Sequence, residues 1–136
     1  MRARMSRSSS THFLNVDLDI YSKHDLKPLV KGFGAKVHVL YVGRDRGRYC
    51  AHLEITGHTR TADSTILAFC RLIEKLPKPA RLLWNNAAVR SFSIGVQAGM
   101  RPNSRDFTIR PKTVKAVSEV AAQIVLTVYT TEFGNA

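Results

Sequence analysis

Acidic and imidazole side chains occupy alternate positions in segments whose remaining residues are mostly apolar. This alternation is typical of strands that bury one face and expose the other. The side chains that would share one open sheet face are Asp17, Asp19, His38, His52 and Glu54. Carboxylates and imidazoles on neighbouring strands can bind a divalent metal or exchange protons with a substrate. An enzyme or metal site on the open face is therefore one hypothesis.

A plainer interpretation of the same residues is an exposed sheet face stabilised by cross-strand pairs between carboxylates and histidines. The chain contains neither H-x-x-x-H nor H-E-x-x-H, the spacings that would sharpen a metal hypothesis. The placement of His38 on this face also requires Val37, Val39 and Tyr41 to point inward. We favour the plainer interpretation and expect neither a metal nor a cofactor.

Basic residues are concentrated in one part of the chain, whose formal net charge is +11. Residues 71–115 hold ten Lys and Arg against two acids, whereas residues 116–136 contain no Lys or Arg. A field this uneven attracts polyanions or an acidic partner. The predicted basic surface consists of Arg44, Arg46, Arg48, Arg81, Arg90, Arg101, Arg105, Arg110 and Lys112.

The basic surface lacks the features of specific nucleic-acid recognition. Aromatic residues are sparse among the basic ones, Trp84 and Phe107 being the nearest outward candidates, and no RNP or zinc-finger motif is present. We therefore expect a non-enzymatic interaction module that docks an acidic protein partner. Non-specific nucleic-acid binding by the same surface is the alternative.

Composition limits the setting of the protein. Cys50 and Cys70 form no C-x-x-C pair, which favours free thiols in a reducing cytoplasm. No apolar run approaches the length of a membrane span, so we expect no membrane partner. Residues 1–11 are rich in Arg and Ser, which predicts a flexible basic tail before a single domain at residues 12–132.

The elements that must position these side chains follow the order β-α-β-β-α-β-β-α-β. Strands are expected at residues 12–21, 36–42, 49–56, 89–97, 106–110 and 124–131, and helices at 26–33, from 61 or 63 to 76, and 111–123. This order favours an α+β two-layer sandwich whose mostly antiparallel sheet carries the helices on one face. A ferredoxin-like arrangement fits within the first six elements. An exposed edge strand could pair two copies, so a homodimer is compatible with the sequence.

The C-terminal half resembles a family of small bacterial α+β domains of unknown function. The resemblance rests on residues 89–97 (VRSFSIGVQ), 107–111 (FTIRP) and 113–130, which look like two strands, a helix and a closing strand ending in a tyrosine, here Tyr129. Residues 63–76 are similar to the central helix of that family. The resemblance implies a bacterial cytoplasmic protein, with a defence, immunity or regulatory role as its setting. It supplies no catalytic residues.

Overall fold

The computed structural model describes residues 10–57 and 61–130, which fold into a five-stranded mixed sheet with four α-helices. The strands are β1 (His12–Ser22), β2 (Val37–Asp45), β3 (Arg48–Ile55), β4 (Val89–Gln97) and β5 (Gln123–Tyr129). The helices are α1 (Lys27–Phe33), α2 (Ala62–Glu74), α3 (Lys78–Asn85) and α4 (Pro111–Glu119), with a short 3₁₀ turn at Gly34–Lys36.

The central strand is β1, because the sheet order is β2-β3-β1-β4-β5. Its apolar residues alternate with polar ones, so one face can be buried while the other stays in contact with water. β1 pairs antiparallel with β3 and with β4, and β2 pairs antiparallel with β3. These four strands with α1 and α2 form the expected ferredoxin-like unit. α4 then leads to β5, which pairs parallel with β4.

The helices share one core with a single face of the sheet. Leu18, Ile20 and Phe92 of the sheet are fully buried against Phe69 of α2 and Trp84 of α3. α2 begins with a capping box. The Thr61 hydroxyl accepts a hydrogen bond from the Ser64 amide, and the Ser64 hydroxyl accepts one from the Thr61 amide. The predicted α+β sandwich with helices on one sheet face is confirmed.

The predicted strand at residues 106–110 is wrong, since this segment is extended but pairs with no strand. Alternate residues of this segment do face the core, because Phe107 and Ile109 both pack against it. Both sides of β4, the strand that precedes this segment in the chain, are occupied by β1 and β5. The Arg110 amide instead donates to the Asp63 carboxylate at 2.9 Å.

Two bulges change which residues face inward. The β1–β4 register shifts at Leu14, which is 44% exposed, and Phe13 packs against the core in its place. The β2–β3 register shifts at Leu40, so Val39 pairs with Leu53 but the next paired residue, Tyr41, lies opposite His52. The expectation that Tyr41 points inward is therefore wrong, because one extra residue reverses the alternation.

The predicted helix at 111–123 ends earlier, at Glu119. Ala121 takes a left-handed conformation (φ 58°), which turns the chain into β5. The Trp84 indole donates to the Val120 carbonyl at 2.9 Å, and Arg90 Nε donates to the Ala121 carbonyl at 2.8 Å. Arg90 Nη1 also lies within bonding distance of the Trp84, Asn85 and Ala87 carbonyls. We call Arg90 and Trp84 with these carbonyls the C-terminal clamp.

The chain ends are described only in part. Residues 1–9 of the predicted tail and residues 131–132 of the predicted domain lie outside the described residues. The last two tail residues contact the fold, because Ser10 forms an isolated bridge with Arg101 and the Thr11 amide donates to the Arg101 carbonyl. None of the helices described at residues 10–57 and 61–130 is long and apolar enough to span a membrane.

Replacing Arg90 with methionine should destabilise the protein by about 2–4 kcal/mol, because several helix-end carbonyls lose a charged donor. Urea unfolding of the full chain would measure this loss. Arg71→Met is the matched control, since Arg71 is an exposed residue of α2, and it should change stability by less than about 0.5 kcal/mol. Equal losses in the two variants would contradict a structural role for Arg90.

Candidate functional site

Two adjoining hydrogen-bonded groups of side chains lie on the open face of the sheet. Together they consist of Asn15, Asp17, Asp19, His52, Glu54 and Ser93, which we call the open-face network. In one group, Asp19 accepts from His52 Nδ1 and from the Ser93 hydroxyl, each at 2.7 Å. Asn15 Nδ2 donates to Asp17 at 3.0 Å and to Glu54 at 3.1 Å. The structure thus brings together four of the five residues that the alternation predicted for this face.

The fifth predicted residue, His38, lies opposite Glu54 in the β2–β3 register but is exposed and outside the network. Tyr21 and Tyr41 flank His52, and the centroids of their rings lie 5.7 and 6.4 Å from that of the His52 ring. The histidine of the network is therefore held between aromatic rings and a carboxylate.

Asp17 is the residue of the network whose ionised form is disfavoured by its surroundings. Partial burial raises its pKa from 3.8 to about 6, and the negative charges of Glu54 and Asp19 add to the effect. A hydrogen bond between the Asp17 and Glu54 carboxyl groups also favours the protonated form. Asp17 therefore exchanges its proton near neutral pH, as a general acid or base would.

The network could support proton transfer, because a carboxylate fixes one nitrogen of His52 and leaves the other nitrogen for a ligand. Its carboxylates nevertheless accept hydrogen bonds from Asn15, His52 and Ser93, as expected for a structural polar face. In the described part of the chain, no group of three or more His, Cys, Asp or Glu residues is arranged to hold a metal ion.

The two thiols are poor nucleophiles. Cys50 and Cys70 are free and buried. Burial raises the pKa of Cys70 to about 12 and also raises the pKa of Cys50, so both remain protonated at neutral pH.

A second candidate site is the tip of the β2–β3 hairpin, with Arg44, Arg46 and Arg48, which we call the arginine hairpin. All three side chains are exposed. The Arg44 guanidinium lies 4.6 Å from the centre of the Tyr49 ring, and that of Arg48 lies 4.1 Å from the Tyr21 ring. These cation–π contacts hold two of the three charges in fixed positions.

The turn of the arginine hairpin places a charged residue where small ones are usually found. Arg46 and Gly47 have φ values of 53° and 85°, so both central residues of the two-residue loop are left-handed. Such turns favour Asn-Gly, because most other side chains are strained there. Arg46 therefore occupies the apex of the hairpin at a cost in backbone energy.

The remaining predicted basic residues are not part of one surface with the arginine hairpin. Arg81 and Arg90 are engaged with helix carbonyls. Arg105 and Arg110 line a cavity of about 320 Å³ together with Asp63 and Asp106, although no ion pair within 4.0 Å joins these arginines to these acids. Arg101 follows β4 at the end of the sheet opposite the hairpin, roughly 30 Å away along the strands. Lys112 lies in a groove between α2 and α4 that also contains Glu74 and Glu119.

Two contributions to these sites were missed by reasoning from the sequence. Ser93 was not singled out, although Phe92 and Ile94 point to the core and its own side chain must therefore face the network. The stacking of Tyr21 and Tyr49 beneath arginines was also missed, because it depends on a strand register that a single sequence does not reveal.

Asp17→Asn should stabilise the protein at pH 8 by about 1–2 kcal/mol, after allowance for solvent screening at this half-buried position. Since the folded-state pKa is raised, the stabilisation from protonated Asp17 is complete below about 3.8 and lost as the pH rises through about 6. The gain should therefore shrink below pH 4. Urea unfolding at several pH values measures it, with exposed Asp106→Asn as control, and a variant no more stable than this control at pH 8 would refute the interpretation.

Arg46→Asn should stabilise the protein by roughly 0.5–1 kcal/mol, because asparagine tolerates the left-handed conformation better than arginine. Thermal and urea unfolding would both report the gain. Arg48→Asn removes the same charge from extended backbone and should stabilise nothing, since asparagine is disfavoured in strands. A similar response in both variants would show that charge, rather than backbone strain, dominates at the turn.

Comparison of the chain with models of protein families, with curated proteins and with solved structures gives no match. The resemblance to a family of small bacterial domains therefore stays a prediction. The function must be inferred from the two sites themselves.

Proposed function

We propose that the protein is a non-enzymatic interaction module that docks an acidic protein partner through the arginine hairpin. The observation that carries this proposal is that three arginines of the hairpin stand against one acid, Asp45, and form no ion pair with it. Among the residues that the structure describes, the only ion pair within 4.0 Å joins His52 and Asp19. No carboxylate therefore pairs with Arg44, Arg46 or Arg48 in that part of the chain.

The geometry of the arginine hairpin also supports a binding role. Its tip is a short two-residue turn, and two of its guanidinium groups are stacked on tyrosines, so little side-chain freedom remains to be lost on binding. Guanidinium groups form two parallel hydrogen bonds with a carboxylate, which makes arginine well suited to acidic protein surfaces. The strained placement of Arg46 at the apex adds a third charge at the most accessible point.

The charge distribution favours an acidic protein over nucleic acid. A nucleic-acid strand needs positive charge along an extended path. The open face that begins beside the hairpin contains Asp17, Asp19 and Glu54, which would repel a phosphate backbone. The positive region is thus compact, and it matches a compact group of carboxylates.

The setting proposed for this function is the cytoplasm of a bacterium. Two buried free thiols fit a reducing compartment, where disulfides do not form. The bacterial source, with a role in defence, immunity or regulation, derives from the family resemblance.

Charge reversal at the arginine hairpin tests the proposal. The triple variant Arg44→Glu, Arg46→Glu, Arg48→Glu should weaken binding to a fluorescein-labelled oligoglutamate peptide at least about 10-fold, as measured by fluorescence anisotropy at low salt. Arg46→Glu alone leaves both tyrosine stacks intact and should account for part of the loss. Circular dichroism would verify that each variant is folded.

The matched control reverses the same number of charges at the other end of the sheet, in Arg101→Glu, Arg105→Glu, Arg110→Glu. It should lose at least about 3-fold less binding than the hairpin variant, because low salt gives both variants the same long-range loss of attraction but only the hairpin variant also loses short-range contacts. Equal losses in the two triple variants would refute the assignment to the hairpin. Single- and double-stranded oligonucleotides, titrated from about 50 to 200 mM salt, form a further arm. Tighter binding to them than to the peptide, with a steep salt dependence, would favour nucleic acid instead.

A further inference from the structure

β5 is an edge strand without the features that normally prevent edge pairing. Among the strands at residues 10–57 and 61–130 it borders only β4, and all seven of its residues are exposed. It contains no charged residue, proline or glycine, and its pairing with β4 has no bulge. The opposite edge, β2, carries Arg44 and Asp45 and is interrupted by the bulge at Leu40. Charges and bulges block the pairing of edges, so only β5 is left open to it.

We propose that β5 pairs antiparallel with β5 of a second copy, about a two-fold axis that passes between the two Leu126 residues. The two five-stranded sheets would then form one continuous sheet across the dimer. A two-fold interface requires a surface that complements itself. Both the backbone and the side chains of β5 meet this requirement.

The backbone of β5 presents its unpaired groups in the correct phase. The Ala98 amide donates to the Tyr129 carbonyl, so Tyr129 directs its backbone groups toward the β4 side. Since these groups point alternately to the two sides of a strand, Ile124, Leu126 and Val128 direct theirs outward. With the axis at Leu126, this residue faces its own copy and Ile124 faces Val128 of the second copy. Each such pair exchanges two N–H···O bonds.

The side chains repeat the same symmetry. Three apolar residues of β5 lie on the helix side of the sheet, in register with the buried Phe92, Ile94 and Val96 of β4. These three residues, Ile124, Leu126 and Val128, remain 38%, 60% and 51% exposed. Pairing would cover this unfinished end of the core with the same apolar residues of the second copy. Cross-strand pairs of branched apolar residues stabilise antiparallel strands.

Electrostatics identifies the occupant as a second copy. Two chains of charge +11 repel each other, but residues 120–130 contain no charged residue, so they can meet there without a charged contact. The two-fold axis also turns the start of one β5 toward the end of the other. Glu119, just before β5, thus lies toward the loop after β4 of the second copy, where Arg101 and Arg105 are exposed. An acidic protein would find no cation on β5 itself.

Analytical ultracentrifugation of the full chain from about 1 to 100 μM tests the proposal. The wild type should sediment with twice the mass of one chain, and this dimer should persist at about 0.5 M NaCl because its central contacts are uncharged. Binding of the oligoglutamate peptide should disappear at that salt concentration. Failure of the dimer and failure of the proposed partner binding are therefore distinguishable.

Leu126→Lys should raise the dimer dissociation constant at least about 100-fold, because two ammonium groups would face each other at the axis. Leu40→Lys makes the same change on the exposed β2 edge and should leave the dimer intact. Mixing Leu126→Lys with Leu126→Glu should restore association as a heterodimer, since residue 126 faces residue 126. This rescue also excludes misfolding as the cause of the loss. A monomeric wild type, a dimer that survives Leu126→Lys, or a mixture without rescue would each overturn the proposal.

Discussion

The C-terminal clamp is the contact on which the far half of the sheet depends. Arg90 and Trp84 bind the carbonyls of Ala121 and Val120, where the chain leaves α4 and turns into β5. The same guanidinium binds the end of α3, so one side chain joins two helix ends and the start of β4. Arginine suits this position, because its fork of donors satisfies several helix-end carbonyls at once. The position of β5, and with it the open sheet edge, follows from this contact.

The two faces of the sheet differ in polarity. The helix-side face is apolar and buried, whereas the open face concentrates carboxylates that are kept in place by Asn15, Ser93 and His52. Gly95 allows this arrangement, since a Cβ atom there would come within 2.9 Å of Asn15 Oδ1. No ion pair joins the acids of the network to the arginines of the hairpin in the described residues, so neither set is neutralised by direct contact with the other.

Alternation and helix periodicity in the sequence were enough to predict the two-layer fold and the facing of Asp17, Asp19, His52 and Glu54. They failed where one residue more or less reversed a face, as at the bulges beside Leu40 and Leu14. Phe107 and Ile109 alternate like a strand, but their segment packs on the core while β1 and β5 occupy both sides of β4. Which arginines of the predicted basic surface bind carbonyls or lie near acids depends on three-dimensional contacts that the sequence does not reveal. Strand order depends on contacts distant in sequence and could not be inferred from one chain.

The central position of β1 has a consequence for the way the chain folds during synthesis. β1 is made before the other strands, yet Leu18 must wait for Leu53 on one side and Phe92 on the other. Folding therefore relies on contacts between distant parts of the chain, which is typical of slow-folding domains. Until β4 leaves the ribosome, one hydrogen-bonding edge of β1 stays unpaired, and the nascent chain presents it to chaperones or to neighbouring chains.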